Sequence, residues 1–184
     1  MVVEGIKKQK KEIEVIEIDK LYNPTRGYVS FSEAVEEIIN YMREKPAKFY
    51  DIIVGCDSSS EDDPIFPVVI AVLRTGEGGR FFLKKVRYPR SENKKFANWK
   101  NRILQEVLIS CNFALSLKEI LKEKIKPFEK GLNYQFRYIH ADIGEKGRTK
   151  DMVKELTNLI RGNGFEPKIK PESCIASNLA DRYS

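Results

Sequence analysis

The sequence predicts one α/β domain, residues 50–184, preceded by an extension over residues 1–49 with one helix. Three observations lead there. The apolar run YDIIVGC is closed by polar residues from Asp57 onward, as a buried central strand would be. Two β-rich runs then follow across a glycine-rich turn, and beyond them helical and strand-like periods alternate to the end of the sequence.

The extension begins with charged residues whose apolar positions Ile13, Val15, Ile16 and Ile18 have a β-like alternation. NPTRG then supplies turn chemistry. A helix is expected from about Ser32 to Glu44, where Ala34, Val35, Ile38, Ile39 and Met42 keep helical period. Ser32 followed by Val35 is not a capping box, and Pro46 ends the helix.

In the core, PIFPVVIAVLRTGEGGRFFLKKVRY reads as two strands joined by the turn Thr75–Gly79, giving three antiparallel strands with the first. From about Asn93 to Lys124, the residues Phe96, Trp99, Ile103, Leu104, Leu108, Leu115 and Ile120 describe one long, deeply packed helix. After Pro127 and Gly131, YQFRYIHADIG is a fourth strand. TKDMVKELTNLIRGNG is an amphipathic helix entered at Thr149 and closed by Gly162 or Gly164. FEPKIKP is a short fifth strand and SNLADRYS a terminal helix. The order is β-β-β-α-β-α-β-α.

With 184 residues, 41% of them hydrophobic, the chain has material for one substantial core. Its 33 basic and 27 acidic residues leave a formal charge of +6, which favours a polyanionic partner such as nucleic acid. Cys56, Cys111 and Cys174 lack the spacing of a disulfide framework or a thiolate zinc site. The start has no apolar signal core, and no apolar run is long enough to cross a bilayer, so a cytoplasmic protein is expected. His140 is the one histidine, so any metal chemistry must rest on carboxylates.

Four carboxylates stand out. Period two puts Ile53, Gly55 and Asp57 on one side of the first strand, with Asp57 at its end; a turn-opening Asx bond is the ordinary alternative. At about 100° per residue, Glu106 falls within roughly 20° of Trp99, Phe113 and Leu117 around the long helix. A buried carboxylate needs a partner, either Arg102 four residues earlier or a cation. Asp142 ends the fourth strand, sharing a face with His140, which is a secondary candidate more often found as a hydrogen-bonded core residue. Asp181 lies in the terminal helix, where a surface acid is the default. Together the four fall one each on strand one, the long helix, strand four and the last helix.

The segments NPTRGYVSF, VGCDSS, TGEGGRFF, IHADIGEKGRT and KPESCIASNLAD resemble a family of bacterial proteins of the YkuK type, classed as ribonuclease H-like. Cys56 stands where that family has a threonine. The resemblance spans nearly everything from Asn23 to Asp181. It implies a five-stranded mixed sheet of order 3-2-1-4-5 flanked by helices, and two Mg²⁺ (or Mn²⁺) ions held by acids matching Asp57, Glu106, Asp142 and Asp181. Such a pair of ions clamps the attacking and leaving oxygens of a phosphodiester. Ser59 replaces the acid that the DEDD exonuclease branch carries two positions after the first, and Ser184 the second acid of the Holliday-junction resolvases. A nuclease acting on RNA, RNA–DNA hybrid or structured DNA remains. Lys84, Lys85, Arg87, Arg90, Lys94, Lys95 and Lys100 would meet phosphates. Trp99 is expected in the core, with base stacking as the alternative. Two rival readings stand beside the nuclease: a catalytically inactive nucleic-acid-binding or protein-interaction module, and a phosphatase or small-nucleotide hydrolase with a closed pocket.

Overall fold

In the computed structural model, residues 20–59, 63–125 and 131–173 are described. Their strands form one seven-stranded mixed sheet of order β2-β1-β5-β4-β3-β6-β7. The strands are β1 (Lys20–Asn23), β2 (Gly27–Ser30), β3 (Tyr50–Cys56), β4 (Phe66–Arg74), β5 (Gly78–Val86), β6 (Tyr134–Ala141) and β7 (Glu166–Lys168). The five expected strands take the order 3-2-1-4-5, with β3, β4 and β5 antiparallel and β6 and β7 added in parallel.

The sheet has two strands more than the five expected, and both come from the leading segment. NPTRG forms a hairpin whose first strand pairs with β5. The Asn23 side chain builds that turn: its Oδ1 accepts from Thr25 N and Arg26 N, both at 3.0 Å, while its Nδ2 donates to Phe81 O at 2.9 Å. Four-residue strands carry too little alternation to be read from sequence.

Helix α1 (Phe31–Glu44) begins one residue before the expected Ser32. Its cap is Ser30, and with Glu33 it makes the reciprocal capping box that the Ser32 reading had denied. The long helix is broken near its start. A turn α2 (Arg90–Asn93) and a 3-10 turn over Lys94–Ala97 precede α3 (Trp99–Lys124), because Asn98 turns extended and its side chain caps Lys100 N at 2.9 Å. The amphipathic helix α4 (Val153–Gly162) follows a 3-10 turn over Lys150–Met152 and is closed at Gly164, whose φ of +79° suits the backbone reversal there. The proposed terminal helix lies outside the described residues.

The main core lies on one sheet face. Ile52, Val54 and Cys56 of β3 pack there with Val68 and Ile70 of β4, Ile139 of β6, Ile38 and Met42 of α1, Phe113 and Leu117 of α3, and Leu156 and Ile160 of α4. Val69, Ala71 and Leu83 form a smaller cluster on the opposite face. At the far end of the sheet from Cys56, the buried Arg74 lies 4.0 Å from the Tyr41 ring, bonds Tyr50 Oη and pairs with Glu44, tying the end of α1 to the strands. The opposite end is where β3 and β6 finish side by side, followed by Asp57 and Asp142.

Candidate functional site

In the parallel β3–β6 ladder, Cys56 lies opposite Ala141. Asp57 and Asp142 are the residues that follow that last pair, and the backbone bends at Asp142, where Ile143 N donates to Ala141 O at 2.8 Å. The backbone stays in ladder-like contact with β4 past the strand end, with Asp57 N bonded to Pro67 O and Ser59 N to Ile65 O, each at 3.4 Å. The Asp57 backbone is thus held beside β4.

Glu106 comes from α3 on the core side and is only 6% exposed. Its partner is Ser58, not the neighbouring Arg102: Oε1 accepts from Ser58 N at 3.1 Å and from Ser58 Oγ at 2.5 Å. Burial pushes the Glu106 carboxyl up to about 8; the Ser58 hydroxyl opposes this, Asp57's negative charge adds to it, and Arg102 opposes it only weakly. The same two acids act with burial to hold the Cys56 thiol well above its ordinary range. Asp57 and Glu106 are therefore electrostatic neighbours, joined through the Ser58 backbone.

Asp142 is differently placed. Its Oδ2 lies 2.9 Å from Lys170 Nζ, so an ammonium already supplies a positive charge to that carboxylate. His140 is buried beside Gly55. Burial lowers its pKa, and among the described residues its Nδ1 has no hydrogen-bond partner and it belongs to no metal-holding group. Among the described residues, no group of three or more His, Cys, Asp and Glu side chains is arranged to hold a metal ion. Asp181 lies outside the described residues.

Basic side chains rim this end of the sheet. β5 runs antiparallel to β4 with Val86 opposite Phe66, so Arg87, Arg90, Lys94, Lys95 and Lys100 all follow the strand end nearest the carboxylates. Lys84 and Lys85 lie within β5 and, by alternation, face opposite sides. Lys95 is exposed, 3.3 Å from Glu92 and over the Tyr88 and Phe96 rings. Trp99 is half-buried at the core edge, with the Arg148 guanidinium 4.3 Å from its ring centroid.

Three residues of the site had no place in the sequence reading. Ser58 had a signal, since it directly follows the strand-end acid. Lys170 and Arg148 lie in motifs shared with the family, but their contacts are made across a distance in sequence that periodicity does not register.

The ribonuclease H-like family model matches residues 33–184, and the chain belongs to that family. Within it the chain is of the YkuK type: it is 28% identical over 169 residues to the uncharacterised protein YkuK of Bacillus subtilis strain 168, covering 89% of this chain and 95% of the relative. No solved structure matches it. No described helix is long and apolar enough to cross a membrane.

Proposed function

We propose that the chain is a metal-dependent nuclease that hydrolyses phosphodiesters of RNA, RNA–DNA hybrid or structured DNA at the end of β3 and β6. The observation that carries this reading is Glu106. A carboxyl almost wholly buried, next to a second acid and met, among the described residues, only by the two Ser58 donors is costly in the ionised state unless a cation joins it. Oxygen donors at Asp57 and Glu106 suit magnesium or manganese, and Asp142 and Asp181 would complete a two-ion set. The ions would supply charge stabilisation at phosphoryl oxygens and activation of water.

The chain's own residues have separate tasks. Asp57 is held by its backbone beside β4, Ser58 orients Glu106 through two donors to one oxygen, and Glu106 holds a proton near neutrality. The basic rim holds the polyanion. Asp142 would have to leave Lys170 to join the ligand set, and that ion pair favours a second reading, a nucleic-acid-binding module without chemistry.

Labelled hybrid, single-stranded and junction substrates, incubated with Mg²⁺ or Mn²⁺, separate the two. Cleavage that falls at least about 100-fold in Asp57→Asn supports the nuclease. Binding across the whole panel with no cleavage by the wild-type protein supports the module.

A further inference from the structure

The first two turns of α3 lead away from Glu106 toward the rim. Trp99 precedes Glu106 by seven residues, which puts it on the same helix face and about 10 Å further along the axis. The facing wall is the loop that follows Asp142. It is closed on itself, with Gly144 N donating to Thr149 Oγ1 at 3.0 Å and Lys150 N to Gly147 O at 3.4 Å. Gly147 at φ +84° allows the reversal that delivers Arg148 to Trp99.

Arg148 is exposed, yet it is not left to wander. Its guanidinium lies 4.3 Å from the Trp99 ring centroid, and Lys100 Nζ lies 5.7 Å from that ring. Among the described residues the guanidinium makes no ion pair or hydrogen bond, and the nearby Glu145 and Asp151 do not pair with it. An arginine ordered by stacking while its N–H fork is unspent is prepared to take a doubly hydrogen-bonded anion. A lone surface arginine would first lose its side-chain entropy.

We propose that Trp99 and Arg148 form a phosphate clamp for the flank of a polynucleotide strand whose reacting phosphate lies at Asp57 and Glu106. This rests on the hydrolase reading for the position of that reacting phosphate, and it defines the substrate class. A nucleic-acid strand carries one phosphate per about 3.4 Å of helix axis, so about three span the 10 Å between clamp and carboxylates. A mononucleotide cannot reach both. The substrate is a chain, and the clamp sets its path along α3.

Trp99 is the single tryptophan of the sequence, so emission excited at the red edge, where the eight tyrosines do not absorb, reports on the clamp alone. In EDTA, where no cleavage occurs, an oligothymidylate titrated into the full chain should change that fluorescence to saturation. Inorganic phosphate and thymidine monophosphate at equal phosphate concentration should not. By anisotropy of a labelled oligonucleotide, Arg148→Ala should weaken binding about tenfold and reduce the salt slope by about one. Arg148→Lys should keep the slope and recover the affinity only in part, because the planar stack is lost. The clamp is overturned if Arg148→Ala leaves affinity and slope unchanged, if mononucleotide matches the oligonucleotide, or if the chain binds no oligonucleotide. An Arg148-dependent complex that no metal converts to cleavage would retain the clamp and remove the hydrolase; cleavage with binding indifferent to Arg148 would do the reverse.

Discussion

Glu106 concentrates the electrostatics of the site in one proton. Its folded pKa, about 8, stands above its ordinary value of 4.5, so between those values the folded protein binds more protons than the unfolded chain. Its contribution to stability is therefore fully present below about 4.5 and is lost as pH rises through 8. Urea unfolding in EDTA should show stability falling from pH 5 to pH 8, and Glu106→Gln should remove that part of the slope. An unchanged slope in the variant would mean that Glu106 does not carry the proton. Ser58→Ala removes the hydroxyl donor and leaves the backbone one, so it should cost about 1–2 kcal/mol at pH 8 and move the slope to higher pH. The facing of Glu106 was legible in the sequence because helical period alone decides it. Its partner was not: Arg102 is four residues away and visible to a helix rule, whereas Ser58 is brought 48 residues by the fold. Asp142 and Lys170 meet for the same reason, through the strand and helix that separate them.

Elements were legible where their period was long and failed where a single side chain intervened. The helical stripe of α3 continues through Phe96 and Trp99, so periodicity runs across the break; it takes Asn98, capping Lys100 N, to restart the helix. Ser30 is the corresponding case at α1, where placing the first residue at Ser32 hid the pairing of Ser30 with Glu33. Ser30→Ala should lower stability by about 1 kcal/mol in urea unfolding, and no loss would show that the box is not a net contributor. The β1–β2 hairpin depends on Asn23, which is 5% exposed and joins its own turn to the β5 backbone. Asn23→Ala should cost about 1–3 kcal/mol and increase amide exchange at β1 and the turn before other strands. Unaltered exchange there would show that the β1–β5 pairing holds the hairpin without that side chain.

At the scale of the molecule, strand order brings residues dispersed in sequence to one end of the sheet. β3 is central, with antiparallel β4 on one side and parallel β6 on the other, and the chain ends leaving β3 and β6 side by side carry Asp57 and Asp142. Ligands of open α/β sheets bind at such carboxyl ends where the connections diverge. The order of the five later strands follows from the family resemblance, and the place of Asp57 just past β3 from the polar close of an apolar run; the charge of the rim follows from a run of basic residues in sequence. What no local pattern contains is how the loop after Asp142 and the start of α3 come together at Trp99. The most direct test of the site is anomalous scattering from crystals of the full chain soaked in Mn²⁺. A peak coordinated by Asp57 and Glu106, with Asp142 released from Lys170, is the predicted result. Crystals that show no peak there, with Glu106 still bonded to Ser58 and Asp142 still paired with Lys170, would contradict it.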